Sequence, residues 1–434
     1  MVSPPGQILS TPSTYKGRIL FTENDNGNLL IYNYEKKAMN LIPSGFSGVY
    51  GASAQYIIPP VRRLRNGFTV TLMPDPPFYA LINLDARKVI WWREIDVSEA
   101  FSASIVDMDL NGVEEIVITG LGEASYSTDL GKIYVLDSRN GETKWVVNIT
   151  GRPLNLALTD VNNDGVLDII VSTVHKSFIY CLNGVDGDLL WRVSDTESIL
   201  PLAIGDVDGD GEPNIIYSGG YGAYFDIFYW FLSNSSRNYV GVIDAASGEE
   251  KYRIYFNAPV LSPITYDVNS DEIEEIIALT INGNFSIISE RKIIYSDKEN
   301  ITTFAAPAIG NIDNDPEPEI IIARRGIEIY TIGTNKRNGW FQIGFDNKHL
   351  FYRDSDGDWV EDYQERHYGL DPLKNDTDGD GISDYEEIVP RENNKFNQAY
   401  LIIITAIAIP IIALGIKIIE NRKSAFISSS KKKA

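Results

Sequence analysis

Cysteine is nearly absent from this 434-residue chain: Cys181 stands alone in the apolar stretch FIYCLN (178–183). No internal disulfide can form, and a buried core thiol is its expected role. Histidine is scarce as well. His175, His349 and His367 are scattered, and no His/Cys/Glu set has the spacing of a zinc site. Phosphate-binding glycine loops, dinucleotide fingerprints and G-x-S-x-G elbows are all missing. The paired carboxylates lie inside acidic loops, where metal ligation would remove them from acid–base work, so the chain reads as a non-enzyme. Basic residues are outnumbered, with 38 Lys and Arg against 60 Asp and Glu and a net charge of −22. Nucleic acid needs a basic footprint and is thereby excluded as a partner.

Long apolar runs are also lacking, with one exception. Residues 399–416 read AYLIIITAIAIPIIALGI, eighteen positions without a charge. That meets the minimum for a membrane span, and Ile418 and Ile419 extend it if Lys417 snorkels. A single transmembrane helix is expected over 399–419, kinked at Pro410. Lys417, Arg422, Lys423 and Lys431 to Lys433 lie at or beyond its end, which places a basic tail (420–434) in the cytoplasm and the preceding residues outside the cell membrane. The first residues, MVSPPGQILSTPS, carry no signal peptide, so the expected start lies upstream. Sequons at Asn148, Asn234, Asn284, Asn300 and Asn375 suit an extracellular glycoprotein.

What is abundant is repetition. An apolar run, an acidic loop and a second apolar run recur as SIVDMDLNGVEEIVITG (104–120), ALTDVNNDGVLDIIVS (157–172) and AIGDVDGDGEPNIIYSG (203–219), with weaker copies at 263–279 and 307–323. Each is followed by a strand, a turn and another strand, as in KIYVLDSRNGETKWVV (132–147), FIYCLNGVDGDLLWRV (178–193) and YVGVIDAASGEEKYRI (239–254). Units of about 45–60 residues with four short strands each are the cue of a propeller blade. YALINLDARKVIWWREI (79–95) and NLLIYNYEKKAMNLI (28–42) add two units without acidic loops. The expected fold is mainly β: a roughly seven-bladed β-propeller over 17–335, then a small calcium-loop stalk and one transmembrane α-helix.

The acidic loops follow D-x-[DN]-x-[DN]-G-x-x-[DE]. Oxygens from positions 1, 3 and 5, a backbone carbonyl at 7 and a carboxylate at 9 form a hard, oxygen-only shell that suits Ca²⁺. The candidate ligands are Asp107, Asp109, Asn111, Val113 and Glu115; Asp160, Asn162, Asp164, Val166 and Asp168, the most complete copy; and Asp206, Asp208, Asp210, Glu212 and Asn214. An amide at Asn214 is expected to weaken the third. Two further loops, from Asp267 and from Asn311, put Glu272 and Pro316 where glycine should make the turn. These repeats resemble the FG-GAP/VCBS-type propeller repeats of integrin α-like ectodomains, and the strand–turn–strand halves resemble quinoprotein-like propeller repeats. The Phe-Gly and Gly-Ala-Pro tripeptides of the first group are missing, so only its cation loop carries over.

Two more loops follow in DSDGDWVEDYQERHYGLDPLKNDTDGDGISDYEE (354–387). The first offers Asp354, Asp356, Asp358, Val360, Asp362 and Glu365, with Trp359 at the turn; the second offers Asp376, Asp378, Asp380, Ile382, Asp384 and Glu387, with Gly381 there. Glu at position 12 can complete the shell bidentately. The segment resembles thrombospondin type 3 calcium repeats, and residues 336–395 are expected to form a stalk that calcium stiffens. The aromatic insert Tyr221–Phe231 is the candidate surface for a glycan or a surface protein. Together these features describe a membrane-anchored calcium-binding adhesion or scaffold protein. An extracytoplasmic propeller enzyme (a quinoprotein dehydrogenase or polysaccharide lyase) and an assembly factor for membrane proteins are the alternatives.

Overall fold

The structure is a computed structural model. It describes the strands between 13 and 83, then residues 88–97, 99–122, 130–174, 176–194, 198–220, 238–299, 301–303, 306–310, 318–324, 327–331 and 352–389. The aromatic insert Tyr221–Phe231, Asn311, Asp313 and Asp315 of the fifth loop, the apolar run at 399–419 and the tail at 420–434 lie outside the described residues. Among the described residues no helix is long and apolar enough to cross a membrane.

The described strands form seven antiparallel sheets in chain order, six of four strands and one of three. Sheet 4 is representative, with strands Arg152–Thr159, Asp168–Val174, Phe178–Leu182 and Leu189–Ser194 each paired to the next. Its Ile169, Ile170 and Val171 run is buried on both faces, as β-branched residues in a central strand should be. The last strand holds no fully buried residue. Through sheet 6, the first strand of each sheet lies against the first or second strand of the one before. Radial repetition of four-stranded sheets packed through their first strands is a β-propeller. Cys181 is buried in sheet 4, paired across the ladder with Ile170, as its apolar surroundings implied.

Neighbouring blades are riveted by one recurring contact. The indole Nε1 of Trp91 in sheet 2 donates to the Ser138 carbonyl of sheet 3 (2.9 Å), Trp145 of sheet 3 to Gly184 of sheet 4 (3.1 Å), and Trp191 of sheet 4 to Ala245 of sheet 5 (2.7 Å). A positive-φ glycine in the receiving turn (Gly141, Gly187 or Gly248) lies flat under each ring. A Cβ there would come within 2.6–2.7 Å of the indole carbons. The aromatic at the end of each half-repeat and the glycine of the next turn are therefore two halves of one joint.

The chain divides into two compact units, Met1–Asp384 and Tyr385–Ala434. The sequence reading set 336–395 apart as a stalk. Residues 352–384 do not stand apart, because they belong to the unit that contains the blades. Tyr352 pairs in parallel with Leu158 and is buried among Met108, Leu158 and Leu167. Trp359 packs against the apolar clusters of sheets 2 to 4, and Tyr363 joins the cluster of sheets 4 to 7. Two buried tyrosines and a half-buried tryptophan supply the apolar contact that offsets the mutual repulsion of the acidic residues around them. A short helix, α1 (Asp362–Tyr368), is capped by the Glu361 side chain, which accepts from Tyr363 N and Gln364 N, and ends at Gly369 with φ 75°. A second, α2 (Asp384–Ile388), follows the last loop.

Candidate metal centre

Each acidic loop within the sheets connects the first two strands of its blade, and these loops and the two at 354–365 and 376–387 are braced by their own side chains. The carboxylate at position 1 accepts from amides at the turn: Asp107 from Asn111 and Gly112, Asp160 from Asp164 and Gly165, Asp206 from Gly209 and Gly211. Asp354 and Asp376 do the same for Gly357 and Trp359, and for Gly379, Asp380 and Gly381. At position 5 an oxygen accepts from the N–H of position 7, so Asn111, Asp164, Asp210, Asp358 and Asp380 hold Val113, Val166, Glu212, Val360 and Ile382.

Position 9 also has a role within the loop that the sequence did not mark. Its side chain accepts from the N–H of position 2 in every described loop, pairing Glu115 with Met108, Asp168 with Val161, Asn214 with Val207, Glu275 with Val268, Asp362 with Ser355 and Asp384 with Thr377. The second oxygen is usually engaged too. Asp168 accepts from Gly184 N, while Asp362 and Asp384 accept from the hydroxyls of Ser355 and Thr377. Position 9 is thus a staple that needs an acceptor oxygen, and the Asn214 amide serves as well as a carboxylate.

Carboxylate oxygens gather within 4.8 Å of one another at Asp107, Asp109 and Glu115, at Asp206, Asp208 and Asp210, at Asp354, Asp356 and Asp358, and at Asp376, Asp378 and Asp380. The loop at 160–168 looked the most complete in sequence, yet its acids are not among these groups. Both oxygens of Asp168 face backbone amides, and the Asn162 amide donates to Asp164 (2.9 Å). Glu387, expected at position 12 of the last loop, is an exposed residue of α2 in the second compact unit. In the Asp267 loop, Glu272 takes the turn with φ 75°, and Trp359 does so with φ 87°, close to the 83–95° of Gly112, Gly165, Gly211 and Gly381. The loop imposes the left-handed conformation whatever residue stands there.

The loop at 354–365 is the most developed. Asp354, Asp358, Asp362 and Glu365 are all buried. Both oxygens of Glu365 and one of Asp356 have no hydrogen-bond partner. Burial raises the Glu365 pKa to about 11, helped by the charges of Asp362, Asp358, Asp356 and Asp354. Asp356 rises to about 7 and Asp354 goes well up, again through burial first. A buried, donor-free carboxylate in the same loop as three converging ones offers oxygen-only donors of the kind a hard cation takes.

This loop is tied to the blades through side chains that the sequence did not mark. Arg353 pairs with Glu274 of sheet 6 (2.5 Å) and with Asp362 (2.6 Å), all three buried. Glu361 accepts from the Thr159 hydroxyl of sheet 4 (2.8 Å). Gln364 Nε2 donates to the carbonyls of Met108 in sheet 3 and Gly165 in sheet 4, at 2.9 Å each. Arg366 donates to Gly211 O of sheet 5, and His367 Nδ1 lies 3.0 Å from Asn163 O. A cleft of about 630 Å³ remains between α1 and the third and fourth loops, lined by Asp206, Asp210, Asp271, Glu272, Arg366 and Asp371. Only the run Tyr-Arg before Asp354 and the Gln in α1 hint at these contacts, since no local pattern marks a partner about 200 residues away.

Sheet order and acidic loops together define the class: a β-propeller whose blades carry acidic loops on the side where a loop-and-helix segment seats. No family model and no curated protein matches the chain. Among solved structures it is similar to the Dos1 propeller (8% identity over 75% of this chain and 86% of that one, TM-score 0.48). It is also similar to BBS1N in complex with ARL6DN (12%, 77% and 94%, 0.45) and to the dihydro-heme d1 dehydrogenase NirN (12%, 72% and 60%, 0.47). The propeller assignment rests on the strand pairing itself.

Proposed function

We propose that this protein is a calcium-stabilised recognition propeller of the cell surface: a closed seven-bladed ring, anchored by the span at 399–419, in which calcium at 354–365 fixes the segment that clamps the blades. The observation that carries the reading is Glu365. Its carboxylate is buried without a donor, in the loop where Asp354, Asp356 and Asp358 converge. Unpaired buried charge is costly, and a divalent cation is the partner that such an oxygen set accepts. Because Arg353, Glu361, Gln364 and Arg366 join that loop to sheets 3 to 6, ordering the loop orders the blade contacts. The ring then presents a rigid face, and the insert Tyr221–Phe231 is the proposed contact for a glycan or a surface protein.

Calcium titration of the full chain, followed by calorimetry and by thermal melting in calcium and in chelator, tests this. Calcium should bind and raise the melting midpoint of the propeller itself. Equal midpoints in both conditions would remove calcium from the account. A glycan array with the calcium-loaded protein tests the recognition half.

A further inference from the structure

The outermost strand of sheets 2 to 6 carries a β-bulge at one repeated position. Pairing slips between Leu81 and Ile82, Val135 and Leu136, Cys181 and Leu182, Val242 and Ile243, and Ile287 and Ile288. The extra residues opposite are Ile90, Lys144, Leu190, Lys251 and Ile294. Apolar bulge residues are left exposed: Ile90 at 39%, Leu190 at 38% and Ile294 at 55%. The two lysines instead reach their own blade's acidic loop. Lys144 Nζ lies 2.9 Å from Glu115 Oε1 and 3.8 Å from Asp109. Lys251 Nζ lies 2.6 Å from Asp208 and 3.1 Å from Asp210, with Asp244 at 3.5 Å.

We propose that Lys144 and Lys251 are built-in cations that hold the loops at 107–115 and 206–214 together without metal and set how weakly those loops bind a divalent ion. The ammonium lies among carboxylates that a metal in those loops would need, so the two compete for the same oxygens. Solvent screens these partly exposed pairs, but the ammonium still neutralises part of the charge that a metal would otherwise meet. The bulge residue is thus a selector: lysine gives a metal-independent loop, and an aliphatic residue leaves the oxygens to whatever else can neutralise them. The idea rests on calcium being the protein's cation only for the identity of the competitor. The clamp itself needs no metal.

The test uses Lys144→Met and Lys251→Met in the full chain, with Lys→Arg at each position as the conservative rescue and Leu190→Lys as the reciprocal gain. Melting in chelator and hydrogen exchange at 107–115 and 206–214 across a calcium titration are the readouts. Each methionine variant should melt lower in chelator and exchange faster in its own loop. Calcium should protect that loop at about tenfold lower concentration than in the wild type, because the internal competitor is gone. Arginine should restore the wild-type melt, and Leu190→Lys should raise it in chelator while slowing exchange at 160–168. Unchanged melting and exchange in chelator would overturn the proposal. A loss in chelator that calcium does not reverse, in a wild type that also binds no calcium, would leave the lysine clamp standing and reject the calcium function instead.

Discussion

Glu365 sets a sign that can be read in a melting curve. Without metal, burial holds Glu365 protonated and neutral at pH 7, so Glu365→Gln exchanges one neutral group for another and should leave the midpoint in chelator nearly unchanged. With calcium the same change removes a ligand and should lower the midpoint, so only the calcium-loaded protein responds. A variant that melts like the wild type in calcium as well would show that the side chain has no metal to meet. Trp359 poses a second residue-scale contest. Its φ of 87° costs about 1–2 kcal/mol, which glycine would release. Its indole packs against the apolar clusters of sheets 2 to 4, and truncating a packed tryptophan costs about 3–5 kcal/mol. Packing wins, so Trp359→Gly should destabilise in chemical denaturation. Glu272 has the same strain on an exposed side chain, so Glu272→Gly should stabilise, by about 0.5–1 kcal/mol.

The rivet between blades is the unit to test at the scale of elements. Gly184 receives the Trp145 indole on its carbonyl, and a Cβ there would sit 1.9 Å from the Leu167 carbonyl oxygen. Backbone cannot yield as a side-chain end does, so Gly184→Ala should cost at least about 2 kcal/mol in denaturant melts. Trp145→Phe keeps most of the ring and loses the donor, and should cost about 1 kcal/mol. Much of this architecture was legible in the chain. Apolar runs split by D-x-[DN]-x-[DN] marked the first two strands, and the Asn-Gly-Glu-Thr-Lys-Trp type of turn marked the last two. Two local signals were also there but carried no meaning alone. Lys144 and Lys251 precede the aromatic where Leu190 does in sheet 4, and only the bulge shows that this position turns towards the loop. The role of position 9 was hidden because ligand and staple need the same oxygen atoms.

At the scale of the molecule, the illegible part was the seating of 352–368. Its contacts join residues as far apart as Met108 and Gln364, and acidic composition by itself reads as a solvated spacer. Seating it buries acids, and that has a pH signature. Burial raises Glu361 from 4.5 to about 8, against the Thr159 hydrogen bond, and raises Asp168 from 3.8 to about 7. A carboxyl whose folded pKa is raised contributes stability that is complete below its unfolded pKa and is lost as pH rises through the folded value. In chelator the midpoint should therefore fall from pH 5 to pH 8. Calcium, which favours ionised ligands, should flatten the slope, and a midpoint in chelator that rises over this range would contradict the burial of these groups.

The segment that grips sheets 3 to 6 is also made after the sheets it grips. Thr159, Gly165 and Gly211 have left the ribosome about 150–200 residues before Glu361, Gln364 and Arg366 follow them. Until residue 353 is made, Glu274 has no Arg353 to pair with. A nascent chain arrested before residue 353 should therefore lack these contacts and leave the acidic loops of its blades open to any cationic visitor.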